Sequence, residues 1–350
     1  AIRNSVAEPW NCELIWGCTR SLLDPGFQSS CLPRLEDGGT AVTSATISLP
    51  FSTVNAFYTK NGLPVEQDAN YYKDGMYFPV KYSKDNSEFT EHYDFDYNYR
   101  YVIENETTAG MNFDREPRFY ASVGFDRGVW YGNSYSDPAG DQSESQAAYR
   151  YPRNRFGEFS SVWNSTWYNV TGYWAKKLVA LRSAFTGSDN VSFYSVPFPD
   201  MRYADLLLMA AEAWNEAEET PNEKVYDYLD QVRERAGLEG IKETYAKYAS
   251  AQYKDYPSHK SQMRDIIHRE RQVELSCEGS YYWDTRRWKT AEKELNRIVQ
   301  GWNVLNGETA EDYYIPTNIY NQQFTLRDYF APIPDGDIIR NPQLVQNPWW

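Results

Sequence analysis

The sequence predicts a mainly α-helical chain with irregular loops and short strands. Three observations support this fold class: apolar stripes at helical spacing after residue 200, two strand-like segments before residue 125, and a long aperiodic region between them. The chain therefore divides into a loop-rich part (residues 1–175), which carries the candidate ligand-binding face, and a helical part (residues 176–350). We expect the two parts to form one compact unit.

Two segments of the loop-rich part have strand character. Residues 92–101 alternate polar and aromatic side chains with period two, which predicts a half-buried strand with an aromatic face. The same stretch contains the opening residues of a calcium loop, but Tyr99 stands where that loop needs glycine. Residues 118–124 are a second predicted strand.

A long region without regular spacing, residues 126–172, is rich in Gly, Ser, Asn, Tyr and Trp. Such loops are usually either functional or disordered, and the many aromatic residues argue against disorder. Tyr and Trp combine an apolar ring with a hydrogen-bonding group, which suits binding surfaces, although core packing is the alternative for each residue. The candidate ligand-binding residues are Trp130, Tyr131, Tyr135, Trp163 and Trp167, with Tyr71, Tyr72 and Trp16 as second choices.

Helical periodicity dominates the second part. We predict one helix over 200–219 with Asp200 as its cap, and a second that starts with a capping box at 220–223 and stops at Gly237. Together they have about the length of one tetratricopeptide unit. Two more helices are predicted over 261–276 and 282–299, followed by an extended tail.

Charge and motifs narrow the range of functions. The net charge of −14, from 35 Lys+Arg and 49 Asp+Glu, makes nucleic acid an unfavourable partner. The sequence lacks the motifs of serine hydrolases, P-loop and dinucleotide-binding proteins, and zinc proteases. The charged block over 269–287, including an Arg271–Glu274 pair, is predicted to be scaffold. A glycoside hydrolase stays open, because that chemistry needs only two suitably spaced carboxyl groups.

The four cysteines allow two interpretations. Cys12, Cys18 and Cys31 lie close enough in sequence for a local disulfide in an oxidising compartment. Zinc binding is the alternative, but the sequence has no CxxC pair and no histidine near these cysteines to support it. Cys277 falls in a helical pattern and is predicted to be a small buried apolar residue. We predict no cofactor; a bound calcium ion is compatible with the sequence but is not predicted.

Seven separated stretches, in order along the chain, resemble the C-terminal region of SusD/RagB proteins. They are FYTKNGLP at 57–64, DREPRF at 114–119, GYWAKK at 172–177, MRYADLLLMAAEAWNE at 201–216, VRERAG at 232–237, the charged block at 269–288, and the proline-containing tail at 331–349. No single stretch is specific for this family, but the occurrence of all seven in this order over residues 57–350 is specific for it.

The resemblance implies a non-catalytic lipoprotein on the surface of Bacteroidota-type bacteria. Such a protein captures glycan, or peptide in some branches, and acts as a lid on a SusC-like TonB-dependent transporter. It also implies tetratricopeptide-like helix pairs, with ligand-holding loops on another face. We expect anchoring in the outer membrane by a lipid on an N-terminal cysteine that this chain lacks, together with the earlier helix pairs. The alternative function is that of a protein-interaction module, which would bind only the transporter and no glycan.

Five other tryptophans are assigned to the scaffold, because they lie in predicted helices or in the closing segment that resembles the family. This group comprises Trp214, Trp283, Trp288, Trp349 and Trp350.

Overall fold

The chain contains a set of longer helices. Its other elements are short helices and strands of two to six residues, connected by loops. The computed structural model of the protein describes residues 2–19, 25–35, 43–132, 150–162, 164–185 and 191–350. The helices of the first part are α1 (Asn4–Ala7), α2 (Pro25–Cys31), α3 (Phe51–Val54), α4 (Ser87–His92), α5 (Phe95–Asn98) and α6 (Pro117–Ser122). Its strands are β1 (Leu14–Cys18), β2 (Pro79–Lys81), β3 (Thr107–Ala109), β4 (Val123–Phe125) and β5 (Tyr173–Ala175).

The second part is mainly helical, which confirms the predicted fold class. Its helices are α7 (Tyr203–Ala217), α8 (Glu223–Arg235), α9 (Ile241–Tyr248), α10 (Lys260–Glu274), α11 (Ser280–Arg287), α12 (Ala291–Leu295), α13 (Ala310–Tyr313) and α14 (Asp335–Arg340). Its strands are β6 (Ala184–Phe185), β7 (Val191–Ser192), β8 (Phe198–Arg202), β9 (Arg297–Gly301) and β10 (Thr317–Gln322). The described strands pair as the antiparallel ribbons β1–β8, β2–β3, β4–β5, β6–β7 and β9–β10.

The predicted helical hairpin is confirmed by α7 and α8, which pack against each other. Leu207, Leu208 and Ala211 form the buried stripe of α7, as their spacing requires. The caps differ from the prediction. Asp200 lies in β8, and α7 starts after Arg202 without a side-chain cap. Asn222, rather than Thr220, caps α8, because its side chain accepts hydrogen bonds from the first-turn amides of that helix.

Both predicted strands of the first part are wrong. Residues 92–101 contain the end of α4 and all of α5, because the side chains of Asn86 and Asp94 each accept an amide hydrogen bond that starts a helix. Residues 118–124 belong mostly to α6, where Pro117 occupies the first turn, and only the end of the segment enters β4.

Two further predictions of the second part need correction. The single helix predicted over 282–299 is divided into α11, α12 and β9. The tail is not fully extended, because it contains a 3₁₀ turn at Leu326–Tyr329 and the helix α14. Trp283 and Trp349 are largely exposed. Trp350 is 44% exposed, but its indole N–H donates to the Arg327 and Phe330 carbonyls, and Trp288 stacks on His268 with ring centroids 3.5 Å apart.

A buried ionic network joins the first part to α8 and α10. Arg118, 1% exposed, contacts the carboxylates of Glu116, Glu270 and Glu274. Burial opposes ionisation of Glu274, but the neighbouring guanidinium groups, that of Arg202 first, hold its pKa below the usual range. The predicted scaffold role of this block fits these contacts.

The predicted Arg271–Glu274 pair does not form, because Arg271 turns to the carboxylates of Asp205 and Asp284 instead.

The local disulfide that the sequence allows is not formed, since Cys12 and Cys31 are both unbridged, as is Cys277. Cys277 lies beyond the end of α10 at a φ of 67° and is half-buried, so it is not part of that helix. Among the described residues, no helix has both the length and the apolar character needed to cross a lipid bilayer.

Candidate functional site

A surface cleft of about 510 Å³ is formed by three separate segments of the chain. Its lining combines the exposed rings of Tyr77 and Phe78, the buried ring of Tyr314, exposed apolar side chains and two carboxylates. The described lining residues are Tyr77, Phe78, Pro79, Glu88, Glu311, Tyr314, Ile315 and Pro316.

The first wall consists of Tyr77 and Phe78, which precede β2. Phe78 is 63% exposed, and its backbone is held by hydrogen bonds to Gly75 and from Gly110. Tyr77 is 39% exposed, and its other ring face packs near Trp302, with centroids 6.3 Å apart. Both rings are therefore open to solvent on a backbone that the surrounding fold fixes in position.

Trp302 provides the packed layer beneath this wall. Its side chain is buried, and its ring meets Phe51 edge-on at 4.6 Å and Tyr314 edge-on at 5.2 Å. Edge-to-face contacts at these distances are favourable because the positive ring edge faces the negative ring face. The same tryptophan therefore supports both walls of the cleft.

Tyr314, Ile315 and Pro316 form the opposite wall. The Tyr314 hydroxyl donates to Asp126 Oδ2 at 2.7 Å, which fixes the ring in one orientation. Burial raises the pKa of Asp126, although the neighbouring guanidinium of Arg127, 2.9 Å away, opposes that rise. Ile315 is 49% exposed and extends the apolar surface toward solvent.

Two carboxylates lie along the cleft, one on each side. Glu88 stands in the first turn of α4, and Glu311 in the first turn of α13, whose start is fixed by the side chain of Thr309. Both are exposed, and neither makes an ion pair with a described residue. They can therefore accept hydrogen bonds from a ligand without first losing a protein partner.

The aromatic surface continues beyond the cleft along α4. Tyr72 stacks on His92 with ring centroids 3.7 Å apart and an interplanar angle of 6°. His92 lies four residues after Glu88 on α4, so the two side chains project from the same helix face about 6 Å apart along the axis. The half-buried stack, which includes the predicted site residue Tyr72, therefore lies one helical turn from Glu88.

Two predicted ligand-binding residues belong to the core. Trp130 is 1% exposed and its ring lies on Gly124, where an added Cβ would come within 2.6 Å of the indole. Tyr71 is 8% exposed and donates its hydroxyl hydrogen to the Phe113 carbonyl. Neither side chain presents a ring face to solvent, because the tight packing of the first part encloses both.

The other predicted residues are scattered. Tyr131 is half-buried beside the Lys176 ammonium, 5.2 Å from its ring centroid. Trp16 on β1 and Trp167 in a bend are exposed, at 70% and 44%, but neither lines the cleft. Tyr135 and Trp163 lie outside the described residues.

Sequence reasoning missed the residues that do line the cleft, although a local signal exists. Both walls are short aromatic or apolar runs that end in proline, Tyr77-Phe78-Pro79 and Tyr314-Ile315-Pro316. Proline biases the preceding residue toward extended backbone, which presents its side chain outward at an element boundary. Within the described residues, no group of three or more His, Cys, Asp or Glu side chains is arranged to hold a metal ion.

Comparison with known proteins identifies the class to which this fold belongs. The model of the SusD family matches residues 26–350, and the chain belongs to this family. SusD-like protein P2 of Formosa agariphila is 29% identical over 197 residues, which cover 56% of this chain and 33% of that protein.

Solved structures agree with the family assignment. BT4246 is 25% identical with a TM-score of 0.75, covering 100% of this chain and 53% of that one. The SusD-like protein BF3747 of Bacteroides fragilis is 19% identical with a TM-score of 0.66, covering 97% of this chain and 55% of that one, and shows the fold alone. The chain therefore spans about half the length of these solved relatives.

Proposed function

We propose that the protein captures glycans without cleaving them, through the cleft between Tyr77-Phe78 and Tyr314-Pro316. Membership of the SusD family and the solvent-open rings of Tyr77 and Phe78 support this proposal. Captured glycan would pass to a SusC-like TonB-dependent transporter at the bacterial outer membrane, where an N-terminal lipid would anchor the whole protein.

The observation that carries the proposal is the pairing of solvent-open rings with free carboxylates. A sugar ring has an apolar C–H face and a rim of hydroxyls. Tyr77 and Phe78 offer apolar ring faces, and Glu88 offers oxygen atoms that accept hydrogen bonds from hydroxyls. Because hydrogen bonds of the surrounding fold hold the backbone of Phe78, and the Tyr77 ring packs near Trp302, these two rings lose little freedom when a ligand binds.

The length of the surface favours a polymeric ligand. The Tyr72–His92 stack lies one turn of α4 beyond Glu88. A chain of linked sugars can contact the cleft and this stack at once, and linked weak contacts add up through their high effective concentration. A single sugar unit would use only one of these positions.

The test is a titration of the protein with a panel of polysaccharides and peptides, read by calorimetry, with reducing-end release assayed in the same samples. We expect saturable heat with a glycan and no release of sugar. Cleavage of the bound glycan would overturn the non-catalytic proposal and make Glu88 and Glu311 candidate acids of a hydrolase. Saturable binding of peptides but not of glycans would contradict the proposal of glycan capture and favour peptide capture.

A further inference from the structure

We infer that the cleft binds uncharged or amine-bearing sugars in preference to glycans that carry uronate or sulfate groups. This inference rests on the proposed function and specifies the ligand class of the same site. Its basis is the charge of the lining: Glu88 and Glu311 are charged, and none of the described lining residues is a lysine or an arginine.

Two arginines behind the Tyr314 wall are already neutralised by the protein. Arg155 lies behind Tyr314, 6.0 Å from its ring centroid, and its guanidinium contacts Asp126 Oδ2 at 3.5 Å and the Thr107 carbonyl at 2.7 Å. Arg127 is surrounded by acidic groups, because it contacts Glu158 as well as Asp126. These guanidiniums therefore supply no unbalanced positive charge to the cleft.

One exposed lysine, Lys81, follows the first wall in the sequence. Lys81 lies two residues beyond Pro79 on β2, and alternate residues of a strand project to the same face. Its side chain is exposed but does not line the cleft, so it does not pair with either carboxylate there.

The size of the effect follows from the two carboxylates. A ligand anion about 7 Å from one carboxylate in a water-like medium is disfavoured about threefold, so the pair disfavours it about tenfold. An ammonium group gains instead, because it can form charge-assisted hydrogen bonds with Glu88 or Glu311 and lie over the ring of Tyr77 or Phe78. The expected order of affinity is amine-bearing, then uncharged, then anionic sugar.

Three sugars of the same ring test this order: glucosamine, methyl glucoside and glucuronate. Binding is read by fluorine NMR of protein labelled with 4-fluorophenylalanine, with the Phe78 resonance assigned from the Phe78→Leu variant. We expect glucuronate to shift the Phe78 resonance only at concentrations about tenfold higher than methyl glucoside, and glucosamine at the lowest concentrations.

The variants separate a local effect from the net charge of the chain. Glu88→Gln/Glu311→Gln should remove most of the difference between the sugars. Glu218→Gln/Glu219→Gln changes the net charge equally, at exposed positions after α7, and should preserve the difference.

Equal binding of glucuronate and methyl glucoside, or a difference unchanged by the cleft variant, would overturn the charge inference and leave glycan capture intact. No shift of the Phe78 resonance with any of the three sugars would remove the cleft as a sugar site, and both proposals with it.

Discussion

Removal of Arg118 is the perturbation that tests the buried network most sharply. Its guanidinium contacts Glu116 at 2.6 Å, Glu270 at 2.5 Å and Glu274 at 3.3 Å, all at exposures of 2% or less. Arg118→Met keeps much of the side-chain volume but leaves three carboxylates without this cation. Breaking a buried ion pair from one side costs about 3–5 kcal/mol of the free energy of unfolding.

The corresponding fall in melting temperature follows from the chain length. An unfolding entropy of about 2.1 cal/mol/K per residue gives about 0.7 kcal/mol/K for 350 residues. A loss of about 4 kcal/mol therefore lowers the melting temperature by about 5 °C. The matched control is Arg264→Met, because Arg264 pairs with Glu216 at a half-exposed site where an ion pair contributes less than about 1 kcal/mol.

The deficit of Arg118→Met should also depend on pH. In the wild-type protein the pKa of Glu274 is depressed, so its contribution to stability is present above the unfolded pKa and is lost only as the pH falls through the folded pKa. Loss of Arg118 raises the pKa of Glu116 and Glu274, because its positive charge lowers the pKa of both carboxyls in the wild-type protein, so they bind protons more readily in the fold. The deficit relative to wild type should be full at pH 7 and shrink toward about pH 4.3.

Differential scanning calorimetry or thermal circular dichroism over pH 4–8 measures both effects. A variant as stable as wild type at pH 7, or a deficit that does not change with pH, would refute the account of this network.

Three further predictions concern other sites. Trp130→Ala should lower the free energy of unfolding by about 3–5 kcal/mol in thermal denaturation while leaving affinity for glycan unchanged, because the side chain is buried away from the cleft; reduced affinity in a folded variant would contradict this. Gly301→Ala should be destabilising by the same measurement, since its Cβ would lie 2.4 Å from the Thr171 Cα atom, and a neutral result would contradict the close approach of β9 to that loop. Burial lowers the pKa of His268 to about 4, so the neutral imidazole stabilises the fold above about pH 6.5 and this stabilisation is lost as the pH falls toward 4. His268→Gln should flatten the pH dependence of the melting temperature in that window, and an unchanged profile would argue against the burial of this imidazole.

The long helices were predictable from sequence, whereas the short elements of the first part were not. In α7 and α8 the apolar stripe repeats over several turns, so the periodic signal outweighs local noise. Around Tyr93 the apparent period of two covers only ten residues. There the capping side chains of Asn86 and Asp94 decide the local structure, because each satisfies an amide at a helix start.

The site was only partly predictable, because its walls are more than 200 residues apart in sequence. Aromatic residues among turn formers were expected to be exposed, but the same local pattern describes Trp130 in the core and Phe78 at the surface. Only the tertiary structure separates them: Gly124 leaves room for the Trp130 ring, while Phe78 faces solvent at the start of β2. Tyr72 was predicted from its sequence neighbours, and its stacking partner His92 becomes visible only in the fold.

The most direct test of glycan capture at the cleft is the affinity of the Tyr77→Ala/Phe78→Ala variant for the glycan that binds wild type, measured by isothermal titration calorimetry. Trp283→Ala is the control, because Trp283 is 70% exposed on α11 and does not line the cleft. At about 1–1.5 kcal/mol for each ring contact, the double variant, measured at a temperature at which it is folded, should bind about 30-fold to 150-fold more weakly, with unchanged binding by the control. Full affinity in the double variant would contradict the assignment of glycan binding to this cleft.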